Sequence, residues 1–295
     1  MPLIKTKCHT FPKLKKYYKD IKLLGGIYVE KMPLTSVTSG MGIELLPDLF
    51  CLSVQIVNVC FIGNPRETNE FILIDAGMPG SYEFIMEEAK KRFGTDCKLT
   101  SIILTHGHFD HVGALHELIK KWDAPVYAHY LEEPYLTGIS DYPPPNPKVD
   151  GFVAKMSPMF PRHSIDIKSN LKLLSEDGLI PNLPEWHYIH TPGHTPGHIS
   201  LFRDRDNALI VGDAFTTVEQ ESLYDVITQK QEMHGPPAYF TTDWHAARDS
   251  VKKLDALKPQ IAISGHGLPM ADDELRIELE RLAANFENEI PENRK

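Results

Sequence analysis

The chain has 295 residues, 42% of them hydrophobic, which is enough for a substantial core and too apolar for a disordered or fibrous protein. Forty acidic side chains against 31 basic ones leave a formal charge of −9, which works against general affinity for nucleic acid or anionic membrane. No stretch approaches the ~20 apolar residues that span a bilayer, and Lys and His interrupt Met1 to Thr10, so no secretory signal is read and a cytoplasmic protein is expected.

Lys5, Lys7, Lys13, Lys15, Lys16, Lys19 and Lys22, with Asp20 the only nearby acid, make residues 1–25 a basic extension; residues 26–295 read as one domain. Val54 to Phe61 alternates in character and leads through Gly63, Asn64 and Pro65 to the apolar run Phe71 to Asp75, which predicts two strands joined as a hairpin. Ser81 is placed to cap a helix with Phe84, Ile85, Ala89 and Phe93 inward, ending at Gly94. A strand over Ser101 to Thr105 and a helix over Val112 to Trp122 follow, then a strand over Pro125 to Ala128. The proline-rich segment 130–184 reads as an insertion or lid. Strands return at Trp186 to His190, Ile199 to Phe202 and Ala208 to Val211; 216–242 is again irregular. A helix opened by Asp243, a strand over Ile261 to Ser264 and a closing helix through Leu275, Leu279, Leu282 and Phe286 complete the chain. Such alternation predicts sheets covered by helices.

Chemistry concentrates at the strand ends. Thr105-His106-Gly107-His108-Phe109-Asp110-His111 gathers three imidazoles and a carboxylate, donors suited to zinc and related divalent metals, with Gly107 allowing a tight turn. Two Pro-Gly pairs exclude a helix between His190 and His198, leaving His194 in a turn as the better ligand, His198 as an orienting residue or a plain structural one, and His190 as part of the preceding strand. Asp213 after Gly212, and His266 between Gly265 and Gly267, each follow an apolar strand and could point into the same cleft. Cys8, Cys51, Cys60 and Cys97 form no Cys-x-x-Cys pair and read as buried free thiols.

These residues, in this order, resemble the metallo-β-lactamase superfamily: His-x-His-x-Asp-His at His106, His108, Asp110 and His111, then Thr-Pro-Gly-His at His194, Gly-Asp at Asp213 and Gly-His-Gly at His266. Asp75, in Leu-Ile-Asp-Ala-Gly, resembles the family's early aspartate, which supports the loop without binding metal. The resemblance runs from Gly26 to Pro269 and implies an α/β fold, an αβ/βα four-layer sandwich with the site along one edge of its paired sheets. It implies one metal on His106, His108 and His194, another on Asp110, His111 and His266, and Asp213 bridging them. The cofactors would be two divalent ions, Zn2+ first, with Mn2+ or Fe2+ as alternatives. A hydroxide between them would attack a small ester, lactone or thioester, and Asp110 would carry its proton to the leaving group.

Within the superfamily the resemblance is to the glyoxalase II and lactonase-like branch, with departures from each relative. Class B β-lactamases commonly have cysteine where this chain has Asp213, which argues against β-lactam hydrolysis. Glyoxalase II adds a helical domain, whereas a short helix follows His266 here; familiar acyl-homoserine lactonases carry tyrosine three positions after the bridging aspartate, and this chain has Thr216. The alternatives are a mononuclear iron oxidoreductase such as a persulfide dioxygenase, and a nuclease. Phe215, Met233, Tyr239 and Phe240 are candidate lining residues for the substrate, with ordinary packing as the competing explanation.

Overall fold

The computed structural model describes residues 35–294; the basic segment 1–25 and Cys8 lie outside the described residues. Strands β1 (Gly42–Leu46), β2 (Leu49–Val54), β3 (Val57–Ile62), β4 (Glu70–Ile74), β5 (Lys98–Ile103), β6 (Val126–Ala128) and β7 (Leu171–Leu173) pair in sequential order into one sheet. Strands β8 (His187–His190), β9 (Ile199–Arg203), β10 (Ala208–Gly212), β11 (Ile261–Ser264) and β12 (Met270–Ala271) form a second. The longer helices are α1 (Tyr82–Phe93), α2 (Leu115–Trp122), α6 (Trp244–Ala256) and α7 (Asp272–Asn285). Shorter ones, α3 (Glu133–Leu136), α4 (Phe152–Met156) and α5 (Leu223–Thr228), punctuate the connections.

Side-chain alternation along the strands produces the layers. Phe71 and Leu73 of β4 pack outward with Ile85, Ala89 and Phe93 of α1 and Leu115 and Leu118 of α2. Ile72 and Ile74, on the other face, join Ile199, Leu201, Ile210 and Ile263 of the second sheet in a shared inner core. Leu209 and Val211 turn away from that core towards Val251 and Leu254 of α6 and Leu275 and Leu279 of α7. The order is therefore helix, sheet, sheet, helix: the αβ/βα four-layer sandwich expected.

Strand direction then decides where a site can form. β4, β5, β6 and β7 run parallel. In the second sheet β9 is antiparallel to both β8 and β10, and β10 is parallel to β11, so β8, β10 and β11 point the same way. Their C-terminal ends share one edge, and every chemistry-bearing turn noted in the sequence begins there.

Several expectations need correction. The strand predicted over Val54 to Phe61 crosses a hairpin: Gln55 has φ 57°, a left-handed turn, between β2 and β3. β2 escapes the period-two pattern because every residue from Leu49 to Val54 is buried, covered on both faces. The helix predicted from Val112 begins at Leu115, and the amides of Gly113 and Ala114 before it bond the carbonyls of Gly77 and Ala76. Ser81 stands at the N-cap of α1, but its hydroxyl makes no capping bond; Asp243 does cap α6, accepting from the Ala246 amide at 2.9 Å. The segment 216–242 contains α5, capped by Ser222, and the segment 130–184 supplies β7.

One buried charge ties the sandwich at the end of β9. Arg203 is fully buried, with its guanidinium carbon 4.7 Å from the Trp186 ring centroid. It donates to both oxygens of Asp48, at 2.7 and 3.2 Å, and to both of Asp206, at 2.9 and 2.8 Å. Burial would raise the Asp48 carboxyl, but Arg203 and Arg205 outweigh it and hold the group below its ordinary value of 3.8. Arg203→Ala strands two carboxylates and is expected to cost about 3–5 kcal/mol, read as a lower denaturant midpoint at unchanged slope. Because Asp48 is depressed, its share of that stability is complete above pH 3.8 and lost as pH falls through its folded value, so the deficit should narrow in acid. An unchanged midpoint at neutral pH would reduce the cluster to ordinary surface ion pairs.

Candidate metal centre

Each predicted ligand leaves the sandwich from the end of a strand. His106, His108, Asp110 and His111 occupy the turn after β5, His194 the turn after β8, Asp213 directly follows β10, and His266 follows β11. The structure brings all of them together, buried to 9% exposure or less. Gly265 is part of that convergence: a Cβ there would lie 2.0 Å from Asp213 Oδ1, so the close approach of β11 to the Asp213 carboxylate excludes a side chain.

The inward atoms form overlapping groups. His106 Nε2 lies 3.1 Å from His108 Nδ1, which lies 2.9 Å from His194 Nε2. Asp213 sits between the two sides: Oδ1 is 3.5 Å from His111 Nε2, and Oδ2 is 3.5 Å from His194 Nε2 and 3.3 Å from His266 Nε2. Asp110 Oδ2 lies 3.4 Å from His266 Nε2. The sets His106/His108/His194, His106/His111/Asp213 and Asp110/His111/His266 each hold ligand atoms within 4.8 Å of one another.

Hydrogen bonds on the outward side show what those inward atoms carry. Asp75 is acceptor-only and takes the Thr105 amide at 2.8 Å, the Thr105 hydroxyl at 2.8 Å and His111 Nδ1–H at 2.9 Å. Having spent its proton on Asp75, the Thr105 hydroxyl accepts from His106 Nδ1–H at 3.1 Å. His266 Nδ1–H donates to the Ile56 carbonyl at 2.9 Å. The Thr241 hydroxyl donates to the Pro237 carbonyl and so accepts from His194 Nδ1–H, at 3.4 Å. His106, His111, His194 and His266 therefore all turn Nε2 inward, the nitrogen whose lone pair is free once the ring is neutral. With Asp110 and Asp213 they make a buried collection of acceptors, in which His111 Nε2 and Asp213 Oδ1 have no hydrogen-bond partner. Acceptors facing acceptors out of water are unfavourable unless a cation lies between them, so the donor set fits divalent metal.

The electrostatics agree. Burial, reinforced by the neighbouring imidazoles, pushes His106 well down; burial also lowers His194, and takes His108 to about 4, favouring the neutral form that ligates. Burial would lower His111 and His266 too, but the carboxylates of Asp213 and its neighbours outweigh it, raising His266 to about 10. Burial raises Asp213, yet His266 and His111 outweigh it and hold the carboxyl well below its ordinary range. This half of the site retains positive charge, and a bound cation would displace the imidazole protons.

Around these atoms the other expectations resolve individually. His198 Nε2 accepts from the Asp213 amide at 2.8 Å while its Nδ1–H reaches the Thr191 carbonyl, so it fixes the backbone at Asp213. His190 stacks on His129 with centroids 4.2 Å apart, away from the ligands. Phe215 and Met233 are fully buried in the outer core of the second sheet, where packing is their role. Phe240 lies 4.8 Å from the His108 ring and contacts Tyr239, so these two do border the centre. Gly107 owes its identity to space: a Cβ would meet the Tyr142 hydroxyl at 2.7 Å. Sequence reading missed Asn58, which donates to the Ser264 and Gly267 carbonyls at 2.9 and 2.6 Å and fixes the His266 turn. It also missed Glu132 and Tyr142, which sit in the irregular segment with no motif to mark them.

Comparison with known proteins gives the same family. Residues 52–266 match the model of the metallo-beta-lactamase superfamily. The chain is 56% identical over 253 residues to "Probable metallo-hydrolase YflN" of Bacillus subtilis, covering 85% of this chain and 96% of that protein. It is 32% identical over 167 residues to "Probable metallo-hydrolase YybB" of the same organism, covering 57% of this chain and 64% of that one. A solved B3 metallo-beta-lactamase with an active-site glutamic acid superposes with TM-score 0.58 at 18% identity, covering 89% of this chain and 93% of that one, a likeness of fold. The ordered ligand motifs, the sandwich and the match across most of the chain agree: this protein belongs to the metallo-beta-lactamase superfamily.

Proposed function

We propose that the protein is a dinuclear metal-dependent hydrolase acting on a small carbonyl substrate, an ester, lactone or thioester, with zinc its first-choice metal. The observation that carries this reading is the pair of complete donor sets sharing one carboxylate, Asp213, whose oxygens lie 3.3 to 3.5 Å from imidazoles of both sets. His106, His108 and His194 would hold one ion, and Asp110, His111 and His266 the other. The 56% identical relative named a probable metallo-hydrolase supports the reaction class. When bound, such a metal pair supplies a water acidic enough to react near neutral pH and polarises the substrate carbonyl.

The chain's own residues would do the rest. Asp75, Thr105 and the Ile56 carbonyl engage Nδ1 of His111, His106 and His266, so that Nε2 of each faces the place a metal would take. Asp110 is the ligand carboxylate best placed for proton traffic: its side chain keeps 12% exposure against 3% for Asp213. Burial raises the Asp110 carboxyl, but His111 and His266 outweigh it and hold it low, which suits a group that must begin ionised. Phe240 and Tyr239 border the His108 side with apolar surface, which fits an acyl or alkyl portion better than a charged one. The complete Asp110/His111/His266 set favours this reading over a mononuclear iron oxidoreductase, which needs fewer ligands. The net charge of −9 weighs against a nuclease.

Metal analysis of the purified protein should find about two zinc or manganese ions per chain, with hydrolysis across a panel of esters, lactones and thioesters abolished by chelator and restored by either metal. Undiminished turnover by metal-free protein would overturn the proposal, and a single iron with oxygen consumption would replace it. Asp110→Asn should lower kcat by about 10²–10⁴-fold with a smaller change in KM, measured on whichever substrate turns over. Wild-type kcat in that variant would remove Asp110 from the proton route.

A further inference from the structure

A buried carboxylate outside the ligand set joins the two loops that carry His106, His108 and His194. Glu132 is fully buried at the end of the turn Tyr130–Glu132, inside the stretch whose sequence reads as a lid. Its Oε2 accepts from the Gly107 amide at 3.1 Å and from the Tyr142 hydroxyl, which itself accepts from the Gly107 amide at 2.9 Å. Its Oε1 accepts from the Thr195 hydroxyl at 2.7 Å and from the Gly197 amide at 2.9 Å. Gly107 separates His106 from His108, and Thr195 follows His194. Burial pulls the Glu132 carboxyl upward while all four partners donate to it, and only the ionised, acceptor-only form satisfies every one of them. The fit is tight: a Cβ on Gly197 would lie 2.8 Å from Glu132 Oε1, and one on Gly107 would meet Tyr142 at 2.7 Å.

We propose that Glu132 is a positioning residue for the His106/His108/His194 site, clamping its two ligand loops and placing a buried negative charge beside three neutral imidazoles. The inference rests on the metal reading above. Three imidazoles contribute no charge of their own against a divalent cation, whereas the Asp110/His111/His266 set contains a carboxylate. Glu132 bonds Gly107, between His106 and His108, and Thr195 and Gly197, just after His194, so its effect is expected to fall on the first site. Glu132→Gln keeps the shape, removes the charge and, in either orientation of its amide, turns the NH2 towards a backbone N–H that can only donate, Gly107 or Gly197.

The test is zinc titration of chelator-stripped protein against a competing chromophoric chelator, with cobalt absorption spectra of the same samples. Wild type should show two affinities. In Glu132→Gln one should weaken by about 10–100-fold with altered cobalt bands, while the other keeps its wild-type value. In a His266→Ala background, where the first site remains, the added Glu132→Gln change should weaken the remaining zinc by the same factor. Unchanged zinc affinities in Glu132→Gln, or equal losses at both sites, would overturn the inference and leave the metal reading standing. Wild type that takes up no zinc would overturn both. If Glu132→Gln does not fold, Thr195→Val and Tyr142→Phe each remove one donor to the clamp and are judged by the same selective loss.

Discussion

Water stabilises a lone pair by donating to it, and burial removes that donor. The centre of this protein withdraws imidazole nitrogens and the oxygens of Asp110 and Asp213 from water together, with the lone pairs aimed at one another. A cation is the component that makes such a cluster favourable. The hydrogen bonds around it make the arrangement hard to relax, because reversing an imidazole would give up its outward acceptor at Asp75, Thr105 or Ile56. The rest of the structure can be understood as the means of holding this unfavourable geometry ready.

The sandwich does so by dividing the work between two sheets. The first delivers Asp75 and the His106 to His111 turn from adjacent parallel strands, β4 and β5. The second delivers His194, Asp213 and His266 from β8, β10 and β11. Neither sheet has a complete donor set, so the inner core of Ile72, Ile74, Ile199, Ile210 and Ile263 is what brings the halves into register. Contacts across the divide reinforce that register: Asn58 and Ile56 of the β2–β3 hairpin bond the His266 turn. At the far end of β9, Arg203 joins Asp48 of the first sheet to Asp206 of the second. Packing and site geometry are thus coupled through the same interface.

The irregular segments also have a more definite place than their proline content suggests. Glu132 and Tyr142 reach back under the His-x-His turn, and Phe240 packs beside His108. These segments are structural walls of the centre as well as its surroundings. Loops built over a rigid site in this way can vary the approach to the centre while the donor set stays fixed.

The sequence by itself determined the candidate ligand types, their order, the strand-to-turn placement of each and the layered mixture of strands and helices. It could do so because these are local properties: an apolar run, a glycine and a histidine or aspartate lie within a few residues of one another. It did not place the β2–β3 turn, because β2 is buried on both faces and loses the alternation that marks a strand. It could not separate Phe240 from Phe215, since both are aromatic residues of the same outer core and only the packing puts Phe240 beside His108 as well. Nor could it find Glu132, a glutamate without a motif, whose meaning comes from amides and hydroxyls at positions 107, 142, 195 and 197. Only the tertiary structure decided these, because hydrogen bonds and burial between distant segments depend on where the chain returns.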